Sequence, residues 1–351
     1  MQSRSHVRPL LAILGACAGM LPATTQAQDV AAFYKGRSIS MFIASAVGGG
    51  YDAYARLVGR HIGKYIPGNP SIVAMNMPGA SGNVAIQHMY TLPKEATAFA
   101  AIQPGAITKP IYDVKERIKY DFTQLVYLGS ANTEVNLCWS RTDAKVKSFK
   151  DLFSTELIIG AGGEGDSTRD FAVAENNILG TKFRVIQRYP GVRDTVLAID
   201  RNEVEGVCGT GVPAMMVQRP DWVAGKGLGR MLVQQNVKGS AKLNAAGVPR
   251  TADFAKTPED RQVLELIYAQ QQFGRPFVMP PGAPAERVAA IRQAFVQALA
   301  DKDLLAEARK MNLDIDVLSG GDLQAIVGRI YATPAPIVKR AIAALVYSPP
   351  K

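Results

Sequence analysis

An apolar run over 38–46, rich in β-branched and aromatic side chains, stops at Gly48-Gly49-Gly50, and a helical pattern begins at once. Ala55, Leu57, Val58, Ile62 and Ile66 fall on one broad face, which predicts a strand, a glycine turn and a helix over 51–66. Glycines let the backbone approach a ligand at positive φ, and the first-turn N–H groups of the helix have no intrahelical partner. Such an end favours a carboxylate or phosphate. Pro67-Gly68-Asn69-Pro70 stops this helix.

The alternation continues with a strand over 71–75, a glycine turn over 76–83, a helix over 84–92, and a third strand over 96–102 closed by Gln103-Pro104-Gly105. Strand, turn and helix on this spacing predict βαβ units and a mostly parallel sheet, with ligands collecting at the carboxyl ends of the strands. Extended stretches at 125–129 and 135–139 are joined by 130–134, and a short helix follows over 148–153. The opening pattern then reappears: a strand over 156–159, a turn over 160–165, and Asp166-Ser167-Thr168 capping a helix to about residue 177. A strand over 184–189, Pro190-Gly191, a helix over 192–202 and a strand over 204–208 before Gly209-Thr210-Gly211 complete a second βαβ set, which implies a second lobe. Beyond it, 230–237 reads as extended, 241–262 as irregular, 262–271 as helical and 277–279 as a strand ended by a Pro/Gly turn. Val288, Ile291, Phe295 and Leu299 mark an amphipathic helix over 285–300; a helix over 304–311, a strand near 315–317 and one last helix over 321–345 follow.

At 351 residues the chain has the length for two lobes, and 47% hydrophobic with 20% charged residues excludes a disordered chain. Arg4 and Arg8, a short apolar run over 10–21 and Thr25-Gln26-Ala27 read as a secretory signal peptide over 1–27, cleaved after Ala27. Leu14-Gly15-Ala16-Cys17 offers the competing reading of a lipoprotein box with a lipidated Cys17. Cleavage removes two arginines and no acids, so the net charge falls from +10 to +8. This excess is spread along the chain without a basic block interleaved with aromatics, so nucleic acid is not an expected partner. Cys138 and Cys208 are read as two buried free thiols, with pairing in an oxidising compartment as the alternative.

Catalytic signatures are missing. His61 and His88 each stand alone in a predicted helix, without a second ligand at helical spacing, so no metal is expected. No Gly-x-Ser-x-Gly elbow surrounds Ser81 or Ser167, and the three glycines are followed by neither a P-loop Lys-Ser nor a Gly-x-Gly-x-x-Gly pattern. The expectation is a binder without cofactor, not an enzyme.

Ile43-Ala-Ser-Ala-Val-Gly-Gly-Gly-Tyr-Asp52-Ala-Tyr-Ala-Arg56-Leu57 resembles the first loop and helix of the tripartite tricarboxylate transporter receptors, also called Bug proteins. Asn76-Met-Pro-Gly-Ala-Ser-Gly-Asn83 is similar to their Asn-Arg-Pro-Gly-Ala-Gly-Gly-Asn stretch, and Ile159 to Thr168, Tyr189-Pro-Gly191 and Phe277 to Pro284 follow in the family's order. Ser45 and Val47 depart from the family's aromatic and proline before the glycines, and Arg169 stands where it usually has histidine. The resemblance implies an α/β, two-lobed Venus-flytrap fold of periplasmic-binding-protein type II, with a mainly parallel sheet in each lobe. It further implies a periplasmic monomer that takes a small carboxylate and delivers it to membrane permease subunits. A periplasmic sensor presenting its solute to a signalling partner is the alternative.

Lobe one is expected over 29–132 plus 236–351 and lobe two over 133–235, with crossings near 130–134 and 233–238. Expected ligand contacts are Gly48, Gly49, Gly50, Tyr51 and Asp52 from the first turn, Gln103, Gly105 and Ala106 from the third, and Gly163, Asp166, Ser167, Thr168 and Arg169 from the second lobe. Arg169 is read as a fork for a carboxylate, against a surface pair with Asp170 or Asp166; Asp52 is read first as a cap. Ser45, Ser81, Tyr189 and Thr210 complete the set.

Overall fold

In the computed structural model, residues 23–48, 50–79, 82–112, 120–189 and 191–349 are described, with side chains from residue 29 onward. Residues 1–22 of the expected signal peptide over 1–27, Cys17 included, lie outside them, and so do the expected contacts Gly49 and Ser81.

Helix α1 (Ala23–Tyr34) leads into strand β1 (Ser38–Ile43), helix α2 (Gly50–Ile62), β2 (Ser71–Asn76), α3 (Asn83–Tyr90), β3 (Ala98–Ala101), α4 (Pro104–Tyr112) and β4 (Val126–Ser130). The chain then enters a second sheet: β5 (Asn136–Arg141), β6 (Leu157–Gly160), α5 (Ser167–Leu179), β7 (Phe183–Ile186), α6 (Val192–Asp200), β8 (Gly206–Gly211), α7 (Val212–Gln218), α8 (Pro220–Val223) and β9 (Gly229–Gln234). It returns through α9 (Ala241–Ala245), α10 (Pro258–Tyr268) and a 3-10 turn, Ala269–Phe273, to β10 (Pro276–Met279). Helices α11 (Ala285–Leu299) and α12 (Lys302–Lys310), strand β11 (Leu318–Ser319), α13 (Gly320–Tyr331) and α14 (Ala335–Ala344) finish it.

The first sheet has the order β11-β4-β10-β3-β1-β2 and the second β7-β6-β8-β5-β9. Parallel pairs β1–β2, β1–β3, β6–β7 and β6–β8 are the βαβ units that the sequence spacing predicts. β10 enters the first sheet antiparallel between β3 and β4, and β5 lies antiparallel between β8 and β9. These are the first strands after each crossing between sheets, and each has to run back along the sheet it joins. β3 and β10 are buried on both faces, as central strands covered by helices are, whereas edge strand β2 alternates.

The crossings are unequal. The first is the short connection 131–135. The return leaves β9 at residue 234 and reaches the first sheet only at Pro276. On the way, α10 packs on both α5 and α14, and α14 packs on α5. One apolar cluster therefore runs from Phe42 and Ile86 beside the first sheet to Leu157 and Phe171 beside the second, through Val263, Leu266 and Phe273.

Three local expectations are corrected. Cys138 and Cys208 are disulfide-bonded, not free thiols, because β5 and β8 bring residues 70 positions apart side by side, a pairing only the tertiary register sets. The expected helix over 321–345 is two helices, broken at Thr333-Pro334; Pro334 is the N-cap of α14 and Pro336 stands in its first turn. Pro104-Gly105, read as part of a turn, open a helix that runs to Tyr112 and carries Pro110 inside it.

Candidate functional site

Tyr51 stands in the first turn of α2, Pro104 and Gly105 open α4, and Ser167 opens α5. These three helix beginnings, two from the first sheet and one from the second, line one cleft of about 430 Å³. Gly163, Glu164, Gly165 and Asp166 form its second-sheet wall; Gln103 and Lys109 complete the opposite one. Both crossings supply its back, with Glu134 and Asn136 from the first and Gln270 and Gln271 from the second.

Each wall is held by a local network of side-chain hydrogen bonds. Asp52 is buried; its carboxylate accepts from Gly48 N at 2.9 Å, Arg56 Nε at 2.9 Å and Asn76 Nδ2 at 2.8 Å. Burial alone would push this carboxyl up, yet the Gly48 N–H, Asn76 and Arg56 together hold it below the usual carboxylate range. Asn76 also donates to Ser45 O, so one small network fixes the loop before α2. In the second wall, Asp166 accepts from Thr168 N at 2.9 Å and Thr168 Oγ1 at 2.7 Å, while Gly162 N donates to Thr168 Oγ1. Ser167 Oγ donates to Gly209 O at 2.8 Å. Gly209 N donates to Gln235 Oε1, and Gln235 O accepts from Gln271 Nε2, whose Oε1 receives Asn136 N. The cleft back is thus tied to the second sheet by hydrogen bonds between amides.

Two cations face this region. Lys109 reaches across from α4: its Nζ lies 3.5 Å from where a Cβ at Gly165 would stand. Arg275 sits behind Tyr51 with its guanidinium 4.2 Å from the ring centroid, and pairs with Glu134 at 2.8 Å. Burial pushes the Tyr51 hydroxyl up to about 12 despite the opposing Arg275 charge, so the hydroxyl stays a neutral donor.

Of the residues expected from sequence, Tyr51, Gln103, Gly105, Gly163, Asp166 and Ser167 line this cleft. Ser45, Gly48, Gly50, Asp52, Ala106, Thr168, Arg169, Tyr189 and Thr210 are not among its lining residues. Arg169 follows the alternative reading, the pair with Asp170, although it is buried and not at the surface. It is buried, and its Nη1 donates to Asp170 at 2.6 Å and to Leu345 O at 3.1 Å, so it pins the chain end instead of forking a ligand. Tyr189 packs against Gly160, Ala106 N closes a turn onto Gln103 O, and Thr210 is buried in β8. Sequence reasoning missed Lys109, Glu134, Asn136, Gln270 and Gln271. The Gln270-Gln271-Gln272 run at the end of the expected 262–271 helix was the available signal; Lys109 had none, since no element was expected over 107–112.

Among the described residues no group of three or more His, Cys, Asp or Glu side chains could hold a metal ion, and no helix is long and apolar enough to cross a membrane.

The chain has the α/β two-lobed fold of periplasmic solute-binding proteins. It is similar to a TctC solute-binding protein from Polaromonas solved without ligand, at 17% identity and TM-score 0.67, covering 88% of this chain and 99% of that one. A Rhodopseudomonas palustris protein with adipate is 20% identical with TM-score 0.60, covering 87% and 97%. MatC from the same organism, with bound malate, is 17% identical with TM-score 0.59, covering 89% and 99%. No family model matches the chain, and no curated protein matches it in sequence.

Proposed function

We propose that this is a periplasmic solute-binding protein that captures a small carboxylate between two lobes, one built on each sheet, and delivers it to a membrane permease of the tripartite tricarboxylate type. The observation that carries this reading is the convergence of three helix beginnings, from both sheets, on one cleft with Lys109 spanning it. First-turn N–H groups and the Tyr51 hydroxyl supply donors, Lys109 supplies charge, and nothing among the lining residues supplies a nucleophile with its base. The wall carboxylates do not oppose an anion as strongly as their number suggests. Glu134 is paired with Arg275, Asp166 turns its Oδ1 to the α5 cap, and both Asp166 and Glu164 stand exposed to solvent at the rim.

Charge-assisted hydrogen bonds contribute roughly 1.5–3 kcal/mol each, so three or four reach the ~8 kcal/mol of a micromolar complex after ordering costs. The malate- and adipate-bound relatives point to dicarboxylates as the first class to try. The protein acts as a monomer, needs no cofactor and releases its solute unchanged.

A thermal-shift series with malate, adipate, citrate, benzoate and glutamate tests the reading. A ligand at about a hundred times its Kd adds about 2.7 kcal/mol to stability and raises Tm measurably. Lys109→Ala should weaken the best ligand about tenfold by calorimetry, the worth of one charged contact. A flat Tm across the whole series, or an affinity indifferent to Lys109, overturns the site.

A further inference from the structure

A second cavity, of about 440 Å³, opens on the other side of the turn that backs the cleft. The 3-10 turn Ala269–Phe273 divides its residues between the two: Gln270 and Gln271 line the cleft, while Ala269 and Gln272 line this second cavity. Its other walls come from residues 236–238 just past β9, from one face of α10, and from the corner where α13 breaks into α14.

Besides polar Asn236, Gln262 and Gln272, the lining has an apolar part and a charged part. Val237, Leu266, Ala269, Ile326 and Ile330 make a floor of side chains each at most 8% exposed. Lys238 and Arg329 stand exposed at the rim, opposed there by one acid, Glu265. Neither the Lys238 nor the Arg329 side chain has a hydrogen bond or ion pair among the described residues, whereas Arg340, nearby on α14, is engaged by Asp260 and Glu259. An apolar floor with unengaged cations at its mouth suits a molecule with a hydrocarbon body and one anionic head. A small inorganic anion leaves the floor wet, and a neutral body gains nothing from the rim. The volume lies within the ~300–1,000 Å³ usual for small-molecule sites.

We infer that this back cavity is a second ligand site, separate from the carboxylate cleft, for an amphipathic organic monoanion whose apolar body rests on Val237, Leu266 and Ile330 and whose head meets Arg329 and Lys238. The site does not depend on what the cleft binds.

The probe is 8-anilinonaphthalene-1-sulfonate, followed by its fluorescence on the full chain. One saturable site is expected. Arg329→Glu should weaken it about tenfold or more, since a favourable charge contact becomes a repulsive one. Thr333→Trp, placed at the half-exposed rim where it fills the mouth without touching the floor, should abolish it. Lys109→Glu, in the other cavity, should leave it unchanged. N-phenyl-1-naphthylamine, the same body without the sulfonate, should bind the unaltered protein at least about tenfold more weakly, a comparison that needs no variant to fold. Absence of a saturable site overturns the inference. So does binding indifferent to both rim substitutions, loss of the dye in Lys109→Glu, which places it in the cleft, or equal binding of the neutral dye.

Discussion

The Arg169 side chain is 7% exposed; one terminal nitrogen bonds Asp170 and the carbonyl of Leu345, and its Nε has no hydrogen-bond partner. Burial drives the Asp170 carboxyl up, and the neighbouring guanidinium opposes this. Truncation would leave that largely buried carboxyl without its cationic partner, which typically costs about 3–5 kcal/mol. Arg169→Ala is therefore expected to lower denaturant stability by about 3 kcal/mol while leaving cleft affinity within about twofold. Lys109→Ala should do the reverse, because Lys109 is exposed and faces the cleft. Urea titration and calorimetry on the two variants separate the roles. The same contrast explains which site residues sequence could find. Asp166 and Ser167 were legible because capping chemistry is local: a short polar side chain before a helical pattern has one job. For Arg169 the local partner Asp170 was legible, whereas its burial and its bond to Leu345, 176 positions away, were not, because nothing in a motif encodes such a contact.

At the scale of elements, the recurring strand-turn-helix units were legible from periodicity, and β1–β2, β1–β3 and β6–β7 pair in parallel as those units require. Helix α4 was hidden by its own prolines. Pro104 at the first helical position needs no N–H partner, and Pro110 is accommodated inside a nine-residue helix that packs on the 269–273 turn and α14. Tertiary packing overrides the local signal there. The chain's last described turn shows a comparable long-range tie. Asn177, on α5, donates through Nδ2 to Ala344 O and Val346 O, each at 2.8 Å, and Val185 N donates to the Tyr347 hydroxyl. Asn177→Ala removes both carbonyl contacts and is expected to cost about 2 kcal/mol, at about 1 kcal/mol for each. A drop in urea midpoint at unchanged slope is the expected reading. An unchanged midpoint means the tail contributes nothing to the fold.

For the whole molecule, the two-sheet architecture was legible in the repeated glycine turns, while the core that joins the sheets was not, because its residues come from four distant stretches. Glu175 lies in the middle of that junction. It projects from α5 without solvent exposure, and its Oε1 accepts from Tyr268 Oη at 2.7 Å, Gln235 Nε2 at 2.8 Å and Thr251 Oγ1 at 3.3 Å. Its Oε2 has no hydrogen-bond partner. Burial, outweighing those three donors, pushes the carboxyl up to about 7 from an ordinary 4.5. A carboxyl that holds its proton more tightly when folded contributes its stability in full below pH 4.5. It loses that contribution as pH rises through about 7, since the unfolded chain then ionises a group the folded chain keeps neutral. The gap corresponds to roughly 3 kcal/mol at about 1.4 kcal/mol per tenfold change in proton affinity. Glu175→Gln is neutral at every pH, so the stability difference between variant and parent should shift in the variant's favour by about 3 kcal/mol between pH 4.5 and pH 8. Other titrating groups are common to both proteins and cancel. Parallel stability curves across that interval would mean that Glu175 carries the same charge folded and unfolded. The three donors and water reaching Oε2 would then outweigh burial, and the junction would be wetter than its packing implies.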